Sequence, residues 1–180
     1  MGDRDQLVIS DFGCAHLSSV EGHDDGIDEI GTRFYKAPEH LFGYRVYTAA
    51  TDVWSLGVIF LELLSGTYLF PGGSDLEQIG MIKRALGSPS KSVINEEMNQ
   101  YPDANKLIFF NGDGKDDTDT DEDEEYEEDE EERLHTLNYI LDTSHILTDH
   151  QTFIRRILTW SIKNRISIEE ILAFVEHENS

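Results

Sequence analysis

Between Thr51 and Leu64 the chain carries Val53, Trp54, Leu56, Val58, Ile59, Phe60, Leu61, Leu63 and Leu64. At helical spacing these residues cover every side of the wheel, and a helix that is apolar all round has to be surrounded by protein. The sequence therefore predicts one buried central helix as the axis of the fold. A chain of 180 residues has room for one domain with a single core around it.

A second stretch cannot enter any core. Between Asp113 and Glu132 there are 15 acidic residues and one lysine. Like charges at that density repel, and the run holds almost nothing to bury, so it reads as a disordered low-complexity insertion. It divides the chain into 1–112, the acidic run 113–132, and 133–180. Taking its −14 from the total of −23 leaves −9 for the rest. That balance argues against nucleic acid or an anionic membrane as partner, since phosphate binding needs Lys and Arg on one face. Asn111 to Asp116 faintly follows a calcium loop, but Lys115 takes a ligand position and Asp116 replaces the turn glycine.

Cys14 is the single cysteine, which excludes an internal disulfide framework and a cysteine-based zinc site. The chain reads as cytoplasmic or nuclear. No apolar run is long enough to span a bilayer.

Leu7-Val8-Ile9 reads as a short strand, followed at once by Asp11-Phe12-Gly13. A long polar loop over 14–36 comes next, a feature that a compact domain keeps for function. Ser74-Asp75-Leu76-Glu77 is a capping box opening a helix with Ile79, Ile82 and Leu86, stopped by Gly87. Thr148 caps a helix bearing Phe153, Ile154, Ile157 and Leu158. Ser167 to Glu170 is a second capping box, for a helix with Ile171, Leu172 and Val175. The expected architecture is mainly α.

A carboxylate placed as Asp11 is can hold a Mg²⁺ that bridges nucleotide phosphates, and Gly13 lets the chain turn away. The loop closes on Gly31-Thr32-Arg33-Phe34-Tyr35-Lys36-Ala37-Pro38-Glu39. The central helix opens with Asp52-Val53-Trp54-Ser55-Leu56-Gly57, and Asn164-Arg165-Ile166-Ser167 follows much later. Singly, each has a plainer role. Asp11 fits a turn, Asp52 a helix start, and Arg165 a solvated cation near a cap.

Together and in this order, the four elements resemble the C-terminal helical lobe of the eukaryotic protein kinase fold. The resemblance implies ATP and Mg²⁺ as cofactors, with Asp11 as the metal ligand and Phe12 and Gly13 beside it. It implies that Thr32 sits beside a catalytic aspartate absent from this sequence and marks a Ser/Thr kinase. It pairs Glu39 with Arg165, and makes Asp52 a buried acceptor of catalytic-loop N–H groups beside the buried Trp54. Leu69 to Ile79 and Leu86-Gly87-Ser88-Pro89 resemble the cyclin-dependent kinases of the CMGC group. Ile27 stands where those enzymes carry an activating threonine, and His16 where an arginine grips its phosphate. With Gly31 and Lys36 on the substrate side, these departures resemble the monomeric fungal CDK-activating kinase. That resemblance implies a protein substrate, the loop threonine of a cyclin-dependent kinase. The sequence contains no glycine-rich phosphate loop and no His-Arg-Asp string. The chain alone is therefore expected to be inactive, and the rival reading is a non-catalytic, pseudokinase-like interaction module.

Deleting 113–132 is expected to leave the melting temperature of the folded part within a few degrees, because a solvated run buries little. Differential scanning calorimetry of the two chains checks this.

Overall fold

The computed structural model describes residues 8–15, 31–108, 137–143 and 148–178. Among them are seven α-helices: α1 Pro38–Leu41, α2 Ala49–Ser65, α3 Asp75–Leu86, α4 Lys91–Glu96, α5 Leu137–Thr143, α6 Thr148–Ile157 and α7 Ile168–Glu178. Short 3-10 turns at Phe12–Cys14, Arg33–Tyr35, Met98–Gln100 and Ala104–Leu107 join them. The mainly α expectation holds. The acidic run and most of the 14–36 loop, including His16 and Ile27, lie outside the described residues.

The strand expected at Leu7-Val8-Ile9 is corrected. Leu7 is not described, and Val8 and Ile9 stand exposed with no strand among the described residues. A strand exists only by pairing, and nothing described runs beside this segment.

Helix α2 is the axis, but it is covered on one side only. Val53, Trp54, Gly57, Val58 and Leu61 are buried. Leu56, Ile59, Phe60, Leu63 and Leu64 face outward, Leu63 with 74% of its surface exposed. The all-round apolar pattern is therefore half satisfied, because the described elements pack against a single stripe. Gly66, with φ +71°, ends the helix and its N–H closes on Glu62 O at 2.8 Å.

Gly57 sets how closely α6 approaches α2. A Cβ there would stand 2.3 Å from Ile157 Cγ2 and 3.2 Å from a Leu158 methyl, so only glycine lets the helices meet at this distance. Ile154, Ile157 and Leu158 are buried, while Phe153 stacks on Phe174 of α7 at 4.2 Å. In α7 only Ile171 of the three expected core residues is buried; Leu172 and Val175 are exposed.

The helix ends follow the sequence signals with local changes. Ser167 Oγ accepts from Glu170 N at 3.2 Å and Glu170 Oε2 accepts from Ser167 N at 3.0 Å, a complete capping box. Those bonds, and Arg156 behind them, hold the Glu170 carboxyl below its usual range. Ser74 caps α3 as expected, but Glu77 reaches past it to Gly73 N at 2.9 Å. Thr148 is the first residue of α6 rather than its cap.

Gly57→Ala should destabilise the fold by about 1–3 kcal/mol, since overpacking outweighs the better helix propensity of alanine. Gly80, mid-helix in α3 with nothing within 4 Å of a would-be Cβ, is the matched control. Gly80→Ala should gain about 0.5–1 kcal/mol. Urea melts of the two variants should move in opposite directions.

Candidate functional site

The segment from Gly31 to Glu39 is fixed to the helices at its C-terminal end and open at its start. Glu39, in the single turn of α1, is 1% exposed and meets Arg165 in a two-pronged pair. Arg165 Nη1 donates to Glu39 Oε1 at 2.7 Å and Nη2 to Oε2 at 2.9 Å. The same guanidinium donates to Ala50 O at 2.9 Å and Thr159 O at 3.1 Å, and its centre lies 5.2 Å over the Trp54 ring. A buried carboxylate and guanidinium need this degree of mutual satisfaction, because an unpaired charge here would be costly. The pair spans 126 positions of sequence and ties α1 to the start of α2 and to the chain before α7.

A second set of bonds holds Arg33 to Tyr35. Gln78 of α3 is fully buried; its Nε2 donates to Arg33 O and Phe34 O, each at 3.1 Å, and its Oε1 accepts from Gly72 N at 2.9 Å. Arg33 Nε donates to Asp75 Oδ1 at 2.9 Å, and Ser55 Oγ to Tyr35 O at 2.9 Å. Tyr35 OH donates to Glu62 Oε2 at 3.1 Å, and its pKa is raised by burial first and by Glu62 next. Gln78 was not singled out from sequence. Its signal was a glutamine at a position whose helical neighbours are core residues.

Gly31 and Thr32 are exposed, and Gly31 sits at φ +78°, a conformation that favours glycine. Lys36 is half-buried. Thr32 precedes the Arg33–Tyr35 turn and its side chain makes no capping bond.

Asp11 shows its plainer role. It has left-handed backbone angles, φ 61° and ψ 74°, and its Oδ1 accepts from Gly13 N at 3.3 Å. Phe12 is exposed. Among the described residues no group of three or more acidic, His or Cys side chains could hold a metal. One exposed carboxylate still fits Mg²⁺, which protein sites hold by one or two carboxylates with phosphates and water supplying the rest.

The resemblance makes Asp52 an acceptor for N–H groups of a catalytic loop, and this sequence carries no His-Arg-Asp string to supply them. Asp52 lies exposed in the first turn of α2, where a carboxylate favours the helix N-terminus. No described segment covers it. Trp54 is buried as expected, and its indole N–H finds no partner among the described residues.

Residues 1–175 match the model of the protein kinase domain. The chain belongs to the protein kinase family. Among its relatives, human cyclin-dependent kinase 20 is 44% identical over 104 residues, which is 58% of this chain and 30% of that protein. Serine/threonine-protein kinase KIN28 of Saccharomyces cerevisiae is 42% identical over 85 residues, covering 47% of this chain and 28% of the relative. A probable serine/threonine-protein kinase of Dictyostelium discoideum, glkA, is 40% identical over 91 residues, 51% of this chain and 19% of its own length. These matches place the chain with the cyclin-dependent-kinase-like members of the family. The aligned part spans under a third of these relatives.

Glu39→Gln or Arg165→Ala should each cost about 3–5 kcal/mol, and the double variant clearly less than the sum, because either change strands a buried partner. A double-mutant cycle by urea denaturation checks it. His40, beside Glu39, offers a pH test. Its Nδ1 lies 2.6 Å from Tyr44 O and its Nε2 3.0 Å from Thr51 Oγ1, and its ring stacks on Tyr47. Burial lowers its pKa below the ordinary imidazole value, against the opposing pull of Glu39. The unfolded chain therefore takes up the proton first, so stability should fall as pH drops through the ordinary imidazole range. His40→Gln should flatten the pH dependence of the urea midpoint in that window.

Proposed function

We propose that this chain is the substrate-facing lobe of a Ser/Thr protein kinase that transfers the γ-phosphoryl group of ATP to a protein hydroxyl. The observation that carries the proposal is the anchoring of 33–39 through the buried Glu39–Arg165 pair and Gln78, with Gly31 and Thr32 left open. A segment fixed in this way can position a peptide without reorganising, and phosphoryl transfer depends mostly on positioning and charge stabilisation.

In this reading Asp11 holds Mg²⁺ with Phe12 and Gly13 shaping the turn around it, and Mg²⁺ supplies charge neutralisation at the nucleotide phosphates. Thr32 orients the catalytic machinery. Gly31 and Lys36 contact the substrate, and the lack of bulk at Gly31 suits a target with no proline after the acceptor. The acceptor would be the loop threonine of a cyclin-dependent kinase. The outward apolar side of α2 offers packing surface for further kinase-domain elements. The protein acts as a monomer in the cytoplasm or nucleus, without nucleic acid or membrane as partner. Among the described residues no helix is long and apolar enough to cross a membrane.

The 180-residue chain alone should show no ATP-dependent phosphorylation. Joined to a phosphate loop and a His-Arg-Asp loop in the full-length protein, it should be active straight from a host without activating kinases. Ile27 carries no phosphate-accepting hydroxyl, so phosphatase treatment should leave the rate unchanged. Radiolabel transfer to a cyclin-dependent kinase with an intact loop threonine, and none to its alanine variant, checks the substrate. Loss of activity on phosphatase treatment would sink the CDK-activating reading and spare the kinase reading. A full-length protein that never turns over ATP would favour the pseudokinase-like module.

A further inference from the structure

Six arginines lie among the described residues, and four are engaged: Arg33, Arg156 and Arg165 in ion pairs, and Arg45 in another interaction. The side chains of the other two, Arg84 and Arg155, make no hydrogen bond or ion pair among the described residues. Both lie on the wall of the same cleft. It has a volume of about 430 Å³ and forms where the end of α3 meets the start of α5 and the end of α6. Among the described residues no acidic side chain lines it. In a chain with a net charge of −23, a cleft with two free guanidinium groups and no carboxylate is a local reversal of charge. Its wall is held in shape by Trp160, whose indole N–H donates to Gly87 O at 2.9 Å; both residues line the cleft.

Guanidinium groups suit carboxylates, which they bind through paired N–H donors. The densest source of carboxylates is covalently close. Leu137 and Asn138 line the cleft, and the acidic run ends at Glu132. Five residues of fully extended chain reach roughly 18 Å, so the end of the run cannot lie farther than that from Leu137. A tether this short keeps its carboxylates at an effective concentration on the order of millimolar. We propose that the cleft is a docking site for the chain's own acidic run, residues 113–132, whose carboxylates pair with Arg84 and Arg155. Each exposed pair is weak and screened by salt, so the docking is reversible and acidic segments in trans compete for the same place.

The chain has two tryptophans, and Trp160 lines the cleft, so its indole N–H resonance in a ¹⁵N-labelled sample is a local reporter independent of kinase activity. Three changes to the full chain should move that resonance to one common position: deleting 113–132, raising NaCl to about 0.5 M, and Arg84→Gln with Arg155→Gln. A deca-glutamate peptide should return it in the deletion chain. That chain should also bind the peptide at least about fivefold more tightly than the intact chain, which carries the competitor in cis. Both arginines are exposed, and the Trp54 indole resonance reports whether each variant is folded. The proposal is overturned if the Trp160 resonance is the same with and without the run at low salt. It is equally overturned if deca-glutamate binds intact and deletion chains alike, which would make the cleft a site for acidic peptides in trans only. Unweakened binding by the double arginine variant would move the site elsewhere. Should that variant fail to fold, the deletion and salt comparisons still decide.

Discussion

The buried pair between Glu39 and Arg165 is the interaction on which the rest of this lobe depends. Its two oxygens and two terminal nitrogens are matched, the same two nitrogens also donate to the carbonyls of Ala50 and Thr159, and Nε is buried with no partner among the described residues. The guanidinium therefore closes a junction of α1, the N-terminus of α2 and the loop between α6 and α7. A hydrophobic contact could fill the same volume, but it would not fix the register of three backbones at once. The planar fork of donors does so by geometry, and burial raises the cost of any arrangement that leaves one prong unmet.

From that junction the candidate site is built outward. Glu39 sets where the segment ends, and Gln78 with Arg33 sets the path by which it arrives. What stays free is Gly31 and Thr32, at the far end from the pair. Exposed polar groups stay open to water there, while the charged and amide groups of Glu39, Arg165 and Gln78 behind them are paired on most of their polar atoms. Asp11 and Asp52 show the other side of this logic. Both are exposed, and both make the local turn or helix-end arrangement that an isolated carboxylate takes.

Helix α2 carries the same lesson for the core. Its buried stripe is fixed by the close approach that Gly57 allows to α6, while the opposite stripe remains apolar and outward. Apolar surface of that extent is surface for packing, and it agrees with a lobe that covers less than a third of its aligned relatives.

Much was legible in the sequence because it is local. Capping boxes at Ser74 and Ser167, the stop at Gly87, and the apolar period of α2, α3 and α6 arise from neighbours three or four residues apart, and these the sequence determined by itself. The order of the motifs around Asp11, Glu39, Asp52 and Arg165 pointed to the kinase family for the same reason. The tertiary structure alone decided which of these side chains become buried. Arg165 does, because a carboxylate 126 positions away arrives to meet it; Asp52 does not, because nothing described covers it. Gln78 as a strut, Val8 and Ile9 without a strand, and two unpaired arginines on one cleft are likewise matters of what meets in space. A side chain's charge and shape are written in its identity, but its partner is set by the packing of distant segments.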